Sequence, residues 1–87
     1  MARETLIEFP TEFPVKALGR DEPCFIETVV EIVAAHAKFD PDSDVKVQAS
    51  GKGNFISVTV TLLAENQVQL DTIYQTLHDN DLVLMVF

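Results

Sequence analysis

The stretch Asp44-Val45-Lys46-Val47-Gln48-Ala49, then Ser50-Gly51-Lys52-Gly53-Asn54-Phe55, then Ile56-Ser57-Val58-Thr59-Val60-Thr61-Leu62 decides the fold. Its two flanks alternate apolar and polar residues, and the centre carries two glycines. That pattern reads as two half-buried strands joined by a short turn, a β-hairpin. An even-numbered loop keeps Val45 and Val47 on one face with Ile56, Val58 and Val60. A one-residue slip would send the two sets to opposite faces. The even loop is therefore expected, with Lys46, Gln48, Ser57, Thr59 and Thr61 on a solvated face and Phe55 as its apolar exception.

Working outward, Phe13, Val15 and Ala17 alternate with Lys16 and Leu18 in a first strand over Glu12 to Leu18. Pro14 donates no ladder hydrogen bond, so regular pairing is expected to begin after it. Gly19-Arg20-Asp21-Glu22-Pro23 is a strand-to-helix turn in which Asp21 or Glu22 caps the helix and Pro23 occupies its first turn. Phe25, Ile26, Val29, Val30, Val33 and Ala37 then recur at helical spacing, taking this helix to about Ala37. After the hairpin, Glu65-Asn66-Gln67 opens a second helix to about His78, with Leu70, Ile73, Tyr74 and Leu77 as its apolar stripe. Leu82 to Phe87 forms a last strand.

The order is β-α-β-β-α-β, the ferredoxin-like arrangement, an α+β fold. Two helices on one face of a four-stranded antiparallel sheet, in strand order 4-1-3-2, are expected. Residues 1–11 read as an N-terminal arm, with Leu6, Ile7 and Phe9 to tack it onto a single domain over 12–87. With 87 residues and 47% hydrophobic content, the chain has the means for one ordinary core.

The pieces Glu8-Phe9-Pro10, Phe13, Lys16 and Gly19, then Ser50, Lys52-Gly53-Asn54-Phe55 and Ser57-Val58, then Val83 and Met85-Val86 occur in an order and spacing that resembles the YbeD-like family of small uncharacterised bacterial proteins. The resemblance covers roughly residues 8–87. It implies the ferredoxin-like fold and a likeness to ACT-type regulatory domains, which bind small effectors such as amino acids and usually pair. Neighbouring genes of lipoate attachment imply a metabolic setting for such proteins. Pro14 and the apolar Leu84 depart from the family pattern.

Fourteen acidic against six basic residues give a net charge of −8. Such a balance repels phosphate backbones and anionic lipids, so neither nucleic acid nor membrane is an expected partner. The RNA-binding version of this fold needs aromatics on the middle strands and a basic surround, and Phe55 alone supplies neither. There is no signal-peptide pattern and no apolar run long enough to span a bilayer. A cytoplasmic protein is expected, and the lone Cys24 suits a reducing compartment.

Chemistry-bearing motifs are weak. Gly51-Lys52-Gly53 lacks the spacing of a phosphate loop and precedes a strand rather than a helix. Asp40, Asp42 and Asp44 match the start of a calcium loop, but Val45 and Gly51 stand where glycine and a bidentate glutamate are required. Cys24 reads as a packing residue, and His36 and His78 as helix-end residues. Acylphosphatases share the fold and hold phosphate with a first-loop Arg and an Asn; Arg20 and Asn54 match, but the surrounding loop does not, and Asp21 and Glu22 repel an anion.

No catalytic constellation is readable, so a non-enzymatic regulatory or interaction module without cofactor is expected. The alternatives are a protein–protein adaptor without a small ligand and an acylphosphatase-like hydrolase. Candidate contacts for an effector or protein partner are Gly19, Arg20 and Asp21 at the first loop, where acid suits an amine. Lys52, Asn54 and Phe55 at the hairpin form a second surface. Leu82 to Phe87 is apolar on both faces of the strand. It is expected either to pair two copies as a homodimer or to be covered by the arm.

Overall fold

The computed structural model describes residues 8–49 and 53–87. The elements are β1 (Thr11–Arg20), α1 (Phe25–Ala34), β2 (Val45–Ala49), β3 (Phe55–Ala64), α2 (Gln67–His78) and β4 (Val83–Val86). They form one antiparallel sheet in the order β2-β3-β1-β4, with both helices on one face. This is the ferredoxin-like topology that the element order predicts.

The hairpin register places Val45 opposite Val60, Val47 opposite Val58 and Ala49 opposite Ile56. The expected parity therefore holds, while Ser50, Gly51 and Lys52 at the turn lie outside the described residues. Gly53 follows with φ +73, a left-handed conformation in which a side chain would clash with its own backbone. β1 pairs with β3 over its whole length, from Thr11–Ala64 to Arg20–Phe55.

Alternation sorts the strand residues onto two faces. Val15, Ala17, Ile56, Val58, Val60 and Leu62 point into the core. There they meet Phe25, Val29 and Val33 of α1 and Leu70, Ile73 and Leu77 of α2, all at most 1% exposed. Burying each such large side chain contributes about 1.5–3 kcal/mol. Val47 shares this face by register yet remains 47% exposed, because β2 is the outer strand and α1 and α2 pack on β1, β3 and β4.

Pairing does not wait for Pro14, as the sequence suggests it should. Pro14 sits opposite Thr61 inside the β1–β3 ladder. The backbone N–H and C=O of Lys16 bond Phe87 on the β4 side, so those of Pro14, two residues earlier, point the same way. That position lies past the last β1–β4 pair, where a missing donor costs nothing.

The first helix also differs at both ends. Neither Asp21 nor Glu22 caps it with a side chain; Cys24 stands at the N-cap, with no side-chain hydrogen bond. The Glu22 carbonyl instead accepts from Phe25 N–H at 3.1 Å, closing a turn around Pro23. That turn leaves Cys24 exposed, one residue before the buried stripe begins, so it is not the packing residue its composition suggests. The helix ends at Ala34 rather than Ala37, because the chain turns to bring Lys38 into a bridge with Leu63. The second helix matches expectation: Asn66 caps it, its side chain accepting from Gln69 N–H at 2.8 Å.

β4 carries an irregularity that strict alternation misses. Leu18 pairs with Met85 but Gly19 pairs with Val83, so Leu84 is an extra residue on the β4 side, a β-bulge. Val83 and Val86 consequently both turn inward, and Leu84 and Met85 both stay about half exposed.

Candidate functional site

The face of the sheet away from the helices is open, and three cross-strand rows define it. Gln48, Ser57, Leu18 and Met85 stand side by side across β2, β3, β1 and β4. Lys46, Thr59, Lys16 and Phe87 form the next row, and Arg20 stands opposite Phe55 at the hairpin end. The Lys16 ammonium lies 5.7 Å from the centre of the Phe87 ring, a cation–π distance.

This face is less solvated than its polar alternation suggests. Ser57 is only 8% exposed, and its hydroxyl donates to the Gln48 carbonyl at 3.3 Å. Around it Leu18, Phe55, Met85 and Phe87 make an apolar patch, with Met85 and Phe87 more than half exposed and Phe55 37% exposed. A shallow groove of about 360 Å³ runs here, lined by Lys16, Leu18, Gln48, Phe55, Ser57 and Phe87 among others.

The two surfaces that the sequence treats separately meet beside this groove, which Phe55 lines. Asp21 N–H donates to the Asn54 carbonyl at 3.2 Å, so Arg20, Asp21, Asn54 and Phe55 are neighbours. All four are exposed by at least a third of their surface. Lys52 lies outside the described residues. Gly19 is different: it is buried, and a Cβ there would overlap the Phe25 ring and come within 2.6 Å of the Leu82 carbonyl oxygen. Its place in the fold is one of close packing beneath the loop.

Charge is distributed unevenly. Every described base is on the open face or in register with it: Lys16, Arg20 and Lys46 on the strands, and Lys38 bridged opposite Leu63. Glu12 is the acid that alternation puts on the same side of β1. Glu27, Glu31 and Asp71 are exposed on the helices, and the remaining described acids crowd the turns and the approaches to the strands. Among the described residues, the ion pair within reach is His78–Asp79 at 3.7 Å, so none of the four bases is matched by a carboxylate. Sequence reasoning missed this segregation. The signal was present, since Lys16 and Lys46 share the parity of Leu18 and Ser57.

The other candidate residues are occupied in local structure. Asp40 Oδ1 accepts from Asp42 N–H at 2.9 Å, and Asp44 Oδ2 from Asp40 N–H at 2.8 Å, so these carboxylates tie their own loop. The His36 carbonyl accepts from Gln69 Nε2 at 2.7 Å, stitching the end of α1 to the start of α2. A second shallow groove, of about 430 Å³, lies between α2 and β4 and is lined by Asp71, Tyr74, Gln75, His78 and Val86. Tyr74 donates its hydroxyl hydrogen to the Phe87 carbonyl at 3.0 Å, and burial raises its pKa above the usual phenol value. Among the described residues, no group of three or more His, Cys, Asp or Glu side chains is placed to hold a metal ion. No helix among them is long and apolar enough to cross a membrane.

Comparison with known proteins agrees with this architecture. An ACT domain from a GTP pyrophosphokinase of Chlorobium tepidum superposes with a TM-score of 0.60 at 18% identity, over 88% of this chain and 97% of that one. At that identity the likeness is one of fold. A UPF0250 protein of Nitrosomonas europaea is 38% identical over 86 residues, covering 99% of both chains. A UPF0250 protein of Neisseria gonorrhoeae is 40% identical over 84 residues, covering 97% of this chain and 92% of its own. Residues 4–87 match the family described as "Protein of unknown function (DUF493)", and with relatives this similar along nearly its whole length the chain belongs to that uncharacterised UPF0250 family, on an ACT-like fold.

Proposed function

We propose that this chain is a non-enzymatic regulatory or interaction module that recognises its ligand on the open face of the sheet. The observation that carries the reading is the adjacency of Arg20 and Asp21 to Asn54 and Phe55, beside the groove that Phe55 lines. A guanidinium, a carboxylate, an amide and an aromatic ring are a recognition set for a small zwitterion or a polypeptide. The ACT-like fold supports the effector version, since ACT-type domains bind small effectors such as amino acids. A groove this shallow also suits a protein partner.

The test is a thermal-shift screen of amino acids and nucleotides on the wild type and on Arg20→Ala, with acetyl phosphate turnover as a parallel assay. Shifts that weaken in the variant support the effector version, and a silent screen supports the adaptor. Shifts of equal size in both proteins would move the site elsewhere. Turnover lost on Arg20→Ala would replace the reading with the hydrolase.

Self-association through Leu82 to Phe87 is a second reading, favoured by the exposure of Leu84, Met85 and Phe87 on the outermost strand. Exposed apolar edges of this kind pair with one another.

A further inference from the structure

Four cations lie along one face of a chain with net charge −8, and none of them is matched by a carboxylate among the described residues. Most of the described acids lie on the helices and turns; Glu12, in the Leu63 row beside Lys38, and Asp44, opposite Thr61, border this face without forming an ion pair with a base. The face therefore projects a local positive potential against the sign of the whole molecule. The bases are also spread out. From the row of Leu63, opposite Lys38, to the row of Phe55, opposite Arg20, β3 advances eight residues, about 26 Å at the usual strand rise.

That length exceeds what a single small effector spans, and it equals an extended peptide of about eight residues. Between the charges lies the apolar floor of Leu18, Phe55, Met85 and Phe87, which offers room for one or two large apolar side chains. A nucleic-acid strand would meet the same bases. It would also meet the acidic turns at both ends and find only Phe55 for stacking on the two middle strands. The acids at the turns matter less to a short peptide, whose own ends can carry positive or neutral residues.

Resting on the reading that this face is the recognition surface, we propose that its ligand is an acidic segment of a partner protein. The segment lies extended across the open face, with an aromatic or aliphatic anchor seated between Leu18, Phe55 and Phe87. Lys16 and Lys46, in the middle row, meet its carboxylates, and Arg20 and Lys38 meet its two ends. Charge complementarity of this kind sets partner choice and association rate.

The test uses a fluorescein-labelled ten-residue peptide of alternating Glu and Phe, read by anisotropy. An alternating Lys and Phe peptide, an all-Glu peptide and an oligouridine of ten nucleotides serve as comparisons. The Glu-Phe peptide is expected to bind, to weaken as salt rises from about 50 to 500 mM as exposed charges are screened, and to weaken about tenfold or more in Lys16→Glu/Lys46→Glu. The all-Glu peptide is expected to bind less tightly, lacking the anchor. Glu27→Lys on α1 serves as the control and leaves binding unchanged. Urea midpoints verify that each variant folds, and Lys38→Glu/Arg20→Glu is the second pair if the first does not.

Failure of the Glu-Phe peptide to bind, binding indifferent to salt and to both pairs, or tighter binding of oligouridine would each overturn the inference. So would a dimer in sedimentation that Lys16→Glu/Lys46→Glu dissociates, since a second copy would then hold the face. Arg20-dependent metabolite shifts without peptide binding would remove the acidic segment and leave the module reading standing. Absence of both would remove the acidic segment and the effector version together, and leave the adaptor version of the module.

Discussion

Gly19 shows how one missing methyl group can hold a loop in place. It lies on the core side of β1, where the strand passes over the Phe25 ring and against the Leu82 backbone. A ring can tilt slightly, but the Leu82 carbonyl is backbone and has little freedom to retreat. Gly19→Ala should therefore destabilise the fold by about 1–3 kcal/mol, the usual cost of forcing an atom into a packed core. Urea unfolding measures it, and a midpoint equal to the wild type would show that the loop yields easily. In the sequence this glycine reads as part of a strand-to-helix turn and, with Arg20 and Asp21, as a candidate ligand contact. Nothing in a linear pattern reveals a close approach between residues six and sixty-three positions apart. Gly53 is the opposite case: its positive φ and open surroundings follow from the turn itself, so its role was readable in the sequence.

Elements, by contrast, were mostly legible. The register of the hairpin followed from alternation alone, because burying one face fixes parity. Both helical stripes fell where the 3.6-residue period puts them. β4 is where alternation failed, since a bulge inserts Leu84 and changes the facing of what precedes it. Six consecutive apolar residues carry no mark of which one is extra, so the strand could not announce its own irregularity. The bulge makes a direct prediction. Leu84→Lys should shift stability by no more than about 0.5 kcal/mol, since Leu84 is half exposed and outside the core. Val83→Lys, one residue earlier, buries a charge and should cost several-fold more. Equal effects in urea unfolding would contradict the bulge. If β4 pairs two copies, sedimentation will also show Leu84→Lys as a monomer.

At the scale of the whole molecule, net charge was legible but its arrangement was not, because composition carries no direction. Acids on the helices and turns repel one another, and so, more weakly, do the bases on the open face. Few attractions offset this: the described ion pair is His78–Asp79, between adjacent exposed side chains, and such surface pairs contribute little. Added salt screens both signs of interaction within a Debye length of about 10 Å at 0.1 M. When repulsions outnumber pairs, screening relieves more than it removes, and the folded state gains. The urea midpoint should therefore rise as sodium chloride increases from about 0.05 to 0.5 M, over which the screening length falls several-fold. The Lys16→Glu/Lys46→Glu variant, four units more negative, should show a steeper rise. A midpoint that falls with salt would mean that attractive contacts, among them any made by residues 1–7 and 50–52, outweigh the repulsion. The open face would then already be neutralised within the chain, and the acidic-segment proposal would lose its electrostatic basis.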